Sequence, residues 1–327
     1  GSRAIASRPR AFAPFAPVHT MSAGLGRGCF SWIARTRSQR GLLASARGSA
    51  SGSSRPLRVG LIGYGTIGTY VAQKLLDGET LPGARLAAVL VSRPRDAIPE
   101  ELKGSGAVFT HDRDAFFAAD WDVAVEAAGQ PAVRECGVQC LRKLRRHFLI
   151  TSIGALCDDA LHAELRSSAA EGGAQLLLAA GAMPAMDWMS SAAIEAVDEV
   201  TITQTKKPEG WKGTPAEDKI DLGALGRPAV VFEGSAREAA TRFPKNANVA
   251  AALALATTGL DATRVRLVAD PEALGPKIDI KLSGAAGDLE ISVRGRPAFG
   301  SQRTSMVVPL SVVKALRNLS SPVFVGV

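Results

Sequence analysis

The sequence lacks the features that mark several broad classes of protein. No apolar run approaches the ~20 residues that a membrane helix needs, because Gly, Ser or Thr interrupts the longest stretches. The four cysteines are too few for a disulfide scaffold, and no Cys or His cluster has the spacing of metal ligands. We therefore expect no membrane partner and no bound metal, and we expect Cys136, Cys140 and Cys157 to be free thiols.

Acidic residues are absent from the beginning of the chain. The first acid is Asp77, whereas residues 1–55 contain nine arginines and no lysine. This composition is typical of a transit peptide, so we predict that residues 1–55 are a leader for the matrix of a mitochondrion or plastid. A disordered tail on a cytoplasmic protein is the alternative, and Met21 is an alternative start.

The same arginines explain the basic character of the whole chain. The net charge is +8, and removing the nine leader arginines leaves −1 for the remaining residues. No basic face with interleaved aromatic residues is evident there. We therefore expect no nucleic-acid partner.

Short apolar strands alternate with helices between residues 56 and 198. This alternation predicts an α/β fold of the Rossmann type, a doubly wound parallel sheet that forms a dinucleotide-binding domain. Residues 199–303 contain polar-alternating strands and one long helix near 246–258, which predicts an open α+β sheet with one face covered. Residues 304–327 are expected to form a closing helix, kinked or delayed by Pro309, that packs back on the first domain.

The stretch GYGTIG at residues 63–68 follows a buried strand and begins a helix. In such a turn Gly63 permits the sharp bend, Gly65 lets a pyrophosphate approach the backbone, and Gly68 lets the helix lie close to the strand. The free N–H groups of the helix then face the phosphates. The predicted dinucleotide contacts are Gly63, Tyr64, Gly65, Thr66, Ile67 and Gly68.

The end of the second strand bears on the choice between NAD and NADP. An Asp or Glu there would bind the ribose 2′-hydroxyl of NAD, but Ser92 and Arg93 stand at this place. A hydroxyl and a guanidinium suit a 2′-phosphate. We predict NADP as the preferred cofactor, and the nearby Asp96 leaves NAD open.

Two more segments end strands at the same edge of the predicted sheet. They are VEAAGQ at 125–130 and the end of a strand predicted over 147–156. Ligands of open α/β sheets bind beyond the carboxyl ends of the strands, and small residues there admit a nicotinamide and its ribose. Ordinary helix packing is the alternative. The predicted contacts in these segments are Ala128, Gly129, Ser152, Gly154 and Ala155.

The segment FPKNANVAAALALATTGL places Lys245, Asn246 and Asn248 at the start of an apolar helix. Asparagine is a favoured residue at helix amino termini, so capping explains part of this pattern. The alternative is that the three polar side chains line a pocket. The helix itself is apolar enough to be buried.

With these pieces in order, the sequence resembles the L-aspartate dehydrogenase family. The resemblance is carried by GLIGYGTIG, VAVEAAG, ITSIGALCDD, TKKPEGWKGTPAE, the stretch 231–271 and the terminal RTS. It implies a homodimer in which residues 199–303 form the α+β substrate and dimerisation domain. The implied reaction interconverts L-aspartate and iminosuccinate, or oxaloacetate and ammonia, with NAD or NADP. It also implies that Asn248 and Ala155 contact the nicotinamide half of the cofactor. Lys245 and Asn246 would then be available for a substrate carboxylate.

One position departs from the family pattern. The catalytic histidine of the family falls on Ile278, which Asp279 follows. No histidine lies beyond residue 162, and we expect the others to be surface or packing residues. Isoleucine cannot transfer a proton, and general acid–base help is worth ~10²–10⁴-fold. The predicted catalytic residues are therefore Lys245, Asn246 and Asp279, with Lys207 as a further substitute.

Two hypotheses stay open. The first is an NADP-preferring oxidoreductase that favours imine reduction, because an iminium ion already carries the charge that hydride transfer needs. The second is a catalytically degenerate NAD(P)-binding protein with a regulatory or scaffolding role. Another dehydrogenase on the same two-domain plan is a third reading. A titratable side chain close to Ile278 would favour the first hypothesis.

Overall fold

The computed structural model describes residues 55–246, 248–298 and 301–326, without the side chains of Lys245 and residues 301–303. Residues 1–54, which hold nearly all of the predicted leader, lie outside this description. The described residues form two main sheets and one two-stranded ribbon.

The first sheet has six parallel strands in the order β3-β2-β1-β4-β5-β6. The strands are β1 Leu57–Ile62, β2 Ala84–Leu90, β3 Val108–Thr110, β4 Val123–Glu126, β5 His147–Ile150 and β6 Leu176–Leu178. The helices of this part are α1 Thr66–Leu76, α2 Arg113–Ala118, α3 Gln130–Val138 and α4 Asp159–Gly172. The strand order reverses between β1 and β4, so the carboxyl ends of these strands border the usual ligand crevice of a doubly wound sheet. The predicted fold class is confirmed.

The central strands of this sheet are buried because helices lie on both of its faces. All four residues of β4 and the last three of β5 are buried, as expected for a parallel sheet. The prediction that one strand covers 147–156 was wrong. β5 ends at Ile150, and Ile153–Cys157 form a 3-10 helix. The chain therefore turns immediately after the strand and presents backbone N–H groups at the crevice.

The second sheet has five mixed strands in the order β11-β10-β7-β9-β8. They are β7 Val197–Lys206, β8 Ala229–Ser235, β9 Arg264–Ala269, β10 Lys277–Gly284 and β11 Gly287–Arg294. The helices of this part are α5 Met186–Ala192, α6 Ala236–Arg242 and α7 Asn248–Ala256. Strands β12 Pro297–Ala298 and β13 Ser301–Ser305 form the ribbon.

One face of the second sheet is apolar and covered. Val200 and Ile202 on β7 and Ile280 on β10 are buried, and they belong to one core cluster with α7 residues such as Leu253. The residues between them on each strand are polar. This alternation is that of a sheet with a single covered face, as predicted.

Two helix predictions need correction. One helix, near 246–258, was expected within residues 199–303, but α6 is a second helix in that range. It begins with a capping box, in which the Ser235 hydroxyl accepts from the Glu238 N–H and the Glu238 carboxylate accepts from the Ser235 N–H. The closing helix, α8 Val307–Ser320, begins two residues before Pro309 rather than after it. A proline is tolerated there because the N–H groups of a first helical turn have no partner within the helix.

Candidate active site

The glycine-rich turn between β1 and α1 has the geometry of a phosphate cradle. Gly63 has a φ of +101°, and a Cβ built on it would lie 2.6 Å from the Ala127 carbonyl oxygen. A Cβ on Gly68 would overlap the Gly63 carbonyl oxygen. Both glycines are therefore required by the packing of the turn itself. Gly65 differs, because a Cβ there would meet no protein atom within 4 Å.

The amino terminus of α1 is free to bind an anion. Gly65 is its N-cap residue and provides no side-chain cap, and no acid lies in the first turn. The first N–H groups of the helix and the positive end of its dipole thus face the open space beside Gly65. The predicted pyrophosphate contacts Thr66 and Ile67 lie in this first turn, and their role in binding stays a prediction.

The loop after β2 brings an unexpected arginine to this turn. Arg95 donates to the Tyr64 carbonyl oxygen at 3.1 Å, and its guanidinium carbon lies 5.4 Å from the centre of the Tyr64 ring. The Tyr64 hydroxyl donates to Glu101 at 2.7 Å, and burial raises the pKa of Tyr64. Ser92 and Arg93, the predicted 2′-phosphate contacts, are exposed in the same loop. Arg95 therefore supports the turn, whereas Arg93 is accessible to a ligand.

A buried carboxylate ties together the ends of β4 and β5. Glu126 is fully buried and accepts from the N–H groups of Ala128 and Gly129, both at 2.7 Å. It also accepts from the Ser152 N–H at 3.0 Å, the Ser152 hydroxyl at 2.9 Å and the Thr151 N–H at 3.2 Å. Burial raises the pKa of Glu126, and these hydrogen bonds oppose that effect.

The Glu126 network was not identified from the sequence. It shows that the polar groups of Ala128, Gly129 and Ser152, which were predicted to contact the cofactor, are already bound within the chain. These three residues shape the loops at the crevice. Ala155 lies fully buried in the adjoining 3-10 helix.

The start of α7 reaches the crevice, as the pocket interpretation of its asparagines requires. The Asn248 side-chain oxygen accepts from the Gly154 N–H at 3.0 Å. One turn earlier, the Pro244 carbonyl oxygen accepts from the Gln130 side chain at 3.4 Å. Asn248 thus lies against the loop that holds Ala155. The side chain of Lys245 is outside the described part of the structure.

Ile278 lies on the covered face of the second sheet, opposite an unusual neighbour. It is 9% exposed, and its antiparallel partner on β7 is Gln204. Gln204 is 4% exposed, and its side-chain Nε2 has no hydrogen-bond partner. Leaving a buried amide donor unpaired costs free energy. The Gln204 donor thus lacks an acceptor beside Ile278, the position where the family histidine is expected.

Lys206 lies two residues beyond Gln204, on the same face of β7, since alternate residues of a strand share a face. Its ammonium group donates to the side-chain oxygen of Asn246 and lies 5.2 Å from the centre of the Trp211 ring. Burial lowers the pKa of Lys206 to about 8. Lys206 was not among the residues predicted from the sequence.

Asp279 and Lys207, which were predicted to replace the family histidine, do not lie beside Ile278 on the covered face of the sheet. Asp279 projects to the opposite face of β10 from Ile278, where it pairs with Lys277 at 2.8 Å. Lys207 is exposed just beyond the end of β7. Of the two predicted catalytic residues whose side chains are described, only Asn246 contacts Lys206.

The described histidines and cysteines have structural surroundings. His147 accepts from the Gln175 N–H at 3.1 Å, burial lowers the pKa of both His147 and His162, and His111 is exposed. Cys136, Cys140 and Cys157 are free thiols, as predicted. Within the described ranges, no group of three or more His, Cys, Asp or Glu side chains could hold a metal ion. In those ranges, too, no helix is long and apolar enough to cross a membrane.

A doubly wound sheet with a phosphate cradle at its first turn, joined to a mixed sheet that faces the same crevice, defines a nicotinamide-dependent dehydrogenase. Comparisons with known proteins agree and identify the family. Residues 63–179 match the family model described as "Homoserine dehydrogenase, NAD binding domain", and residues 187–319 match "Aspartate dehydrogenase, C-terminal".

Curated relatives match 80% of the chain. The L-aspartate dehydrogenase of Ralstonia pickettii is 39% identical over 80% of this chain and 97% of its own length. That of Ruegeria pomeroyi is 40% identical over 80% of this chain and 92% of its own. The crystal structure of aspartate dehydrogenase from Thermotoga maritima is 27% identical, covers 83% of this chain and 99% of its own, and has a TM-score of 0.65. The chain belongs to the L-aspartate dehydrogenase family.

Proposed function

We propose that the protein interconverts L-aspartate and iminosuccinate, or oxaloacetate and ammonia, with a nicotinamide cofactor. The observation that carries this proposal is the hydrogen bond from the Gly154 N–H to Asn248, which links the loop after β5 to the start of α7. This contact brings the polar start of α7 to the strand ends beyond which a nicotinamide lies in doubly wound sheets. The names of the relatives support the same reaction.

The chain's own residues would bind and orient both reactants. The open space at Gly65 and the amino terminus of α1 would hold the pyrophosphate. The loops fixed by Glu126 would form the surface under the nicotinamide. When bound, that ring supplies the chemistry by accepting a hydride from the substrate α-carbon or returning it. Asn246 and the unpaired amide of Gln204 would bind the dicarboxylate.

NADP is the cofactor that the exposed loop after β2 favours. Ser92 and Arg93 are accessible there, and Arg93 forms no ion pair with a described residue. A free guanidinium next to a hydroxyl suits a 2′-phosphate. Asp96 is exposed in the same loop and keeps NAD as the alternative.

The environment of Ile278 supports a preference for imine reduction. An apolar side chain at this position removes the acid–base group expected in the family, and oxidation of aspartate depends on that group more than reduction of a preformed iminium does. We also propose, on sequence grounds, that residues 1–55 direct the protein to an organelle matrix. We propose as well that the protein forms a homodimer, as the family resemblance implies.

A catalytically degenerate NAD(P)-binding protein is the second candidate, and Ile278 is the observation that favours it. Both candidates can be tested by mixing the purified full chain with oxaloacetate, ammonium and either NADPH or NADH. Oxidation of the reduced cofactor, faster with NADPH, supports the proposed enzyme. Binding of NADPH without turnover by the parent, but with turnover by an Ile278→His variant, supports the degenerate protein. The absence of NADPH binding contradicts both.

A further inference from the structure

The covered face of β7 ends in two polar residues that do not belong to the apolar core cluster. Val200 and Ile202 continue the apolar face, but the next inward positions carry Gln204 and Lys206. Gln204 is buried with an unpaired Nε2, directly opposite Ile278. A buried donor without a partner in the described chain indicates an acceptor that comes from outside the chain.

Lys206 is partly buried and has no carboxylate partner of the kind that usually accompanies a desolvated ammonium. None of the ion pairs among the described residues includes it, and its hydrogen-bond partner is the neutral side chain of Asn246. The flat ring of Trp211 lies on its other side. A desolvated charge without an anionic partner opposes folding, so the presence of Lys206 here favours a functional explanation over a structural one.

The partner of Lys206 fixes where its ammonium group lies. Asn246 ends the 3-10 turn Pro244–Asn246, and the Pro244 carbonyl oxygen accepts from Gln130, the first residue of α3 after the loop that follows β4. Two residues further, Asn248 is bound to Gly154 beyond the end of β5. The ammonium group is therefore attached to the segment that contacts both strand-end loops of the crevice.

We propose that Lys206 is the proton-transfer residue of this chain, acting on the substrate amino group in place of the histidine expected at position 278. This assignment rests on the proposed function. In the oxidative direction, the neutral Lys206 Nζ forms a bond to one proton of the substrate α-ammonium. The electron pair of the broken N–H bond stays on the substrate nitrogen.

Hydride transfer and hydrolysis follow, and they consume one water molecule. The hydride leaves the α-carbon with two electrons and reduces the nicotinamide, while the nitrogen lone pair forms the C=N bond of the iminium ion. One water then adds to the iminium carbon, and ammonium and oxaloacetate are released. In the reductive direction, the protonated Lys206 returns its proton to the amine as the iminium is reduced.

The surroundings of Lys206 suit this role. Burial lowers its pKa to about 8, and desolvation is the cause, so a neutral fraction exists near neutral pH. The groups that face it are Asn246, the Trp211 ring and, one inward position away, Gln204, none of which is charged. Lys207, the next residue, is exposed.

Replacements at position 206 separate proton transfer from simple attraction of a carboxylate. Lys206→Arg keeps the positive charge but cannot release a proton near neutral pH, and Lys206→Met keeps the length of the side chain without charge. The control is Lys219→Met, an exposed lysine in the same part of the chain. Retained NADPH binding shows that each variant is folded.

We expect both changes at position 206 to lower kcat for aspartate oxidation by about 10²-fold or more. The control should remain close to the parent. The parent rate should rise with pH through the titration of Lys206, and this rise should be absent from both variants. If Lys206→Arg keeps a kcat within about threefold of the parent, the group acts by charge alone and the assignment is overturned. If the parent itself shows no turnover, both the proposed function and the assignment of Lys206 are overturned.

A labelling experiment tests Lys206 without turnover. The parent is treated briefly with acetic anhydride over a pH series, and acetylation of Lys206 and Lys219 is measured by peptide mass spectrometry. We expect acetylation of Lys206 to titrate near pH 8, and NADP⁺ with succinate to protect Lys206 but not Lys219. No titration of Lys206 near pH 8, or no protection of Lys206, would overturn the assignment.

Discussion

Alanine at Gly65 and at Gly68 should separate cofactor binding from folding. A Cβ at Gly68 would overlap the Gly63 carbonyl oxygen, and this backbone atom cannot rotate away. Relief requires α1 to move from the turn, and such overpacking costs ~1–3 kcal/mol. The better helix propensity of alanine offsets up to ~1 kcal/mol of that. We therefore expect Gly68→Ala to lower the free energy of unfolding.

The Gly65→Ala variant should behave in the opposite way. Its Cβ meets no protein atom within 4 Å, and the backbone at φ −98° suits any residue. The loss of a glycine N-cap should cost less than about 1 kcal/mol. The new methyl group would nevertheless occupy the space beside the N–H groups of α1. We expect at least a tenfold loss of NADPH affinity, or about 1.4 kcal/mol.

Two measurements check this pair of variants. Urea unfolding without cofactor reports stability, and a fluorescence titration with NADPH and NADH reports affinity. The phosphate-cradle interpretation would be refuted by a Gly65→Ala protein that binds both cofactors as tightly as the parent. A Gly68→Ala protein of unchanged stability would refute the packing argument.

Three further predictions use charged groups around the crevice. Arg93→Ala should weaken NADPH binding about tenfold or more and leave NADH binding unchanged. Arg95→Ala should weaken the binding of both cofactors, because Arg95 supports the Tyr64 turn. Equal effects of Arg93→Ala on both cofactors would contradict the NADP proposal. Glu126→Gln should lower the free energy of unfolding by about 1–3 kcal/mol, since its NH₂ group must face N–H or O–H donors; chemical unfolding checks this, and an unchanged midpoint would argue against the network. Burial lowers the pKa of Lys206 from 10.5 to about 8, so the unfolded chain binds more protons between these values. Stability should therefore rise with pH in that window by an amount that Lys206→Met lacks, and parallel pH curves for the two proteins would contradict it.

Much of the fold was predictable because its signals are local. The GYGTIG spacing and the buried strand before it suffice for the first βα turn, and alternating apolar runs suffice for the parallel sheet. The second sheet follows from period-two patterns. Helix α6 was missed although Ser235 and Glu238 form a capping box, a signal that the sequence does contain.

The candidate site was only partly predictable because its contacts join distant segments. Glu126 binds residues about 25 positions away, and nothing near it in sequence indicates that partnership. Lys206 and Lys207 look equivalent in the sequence. The alternation of Val200, Ile202 and Gln204 places Lys206 on the inward face once β7 is known to reach that far. For the same reason, Ile278 lies on the covered face of β10 and Asp279 on the opposite face.

The most direct test of the account is the rate of NADPH oxidation by the purified chain with oxaloacetate and ammonium, compared between the parent and Lys206→Arg. The account predicts measurable turnover by the parent and a loss of about 10²-fold or more in the variant. A parent that binds NADPH but never oxidises it under these conditions would contradict the proposed function.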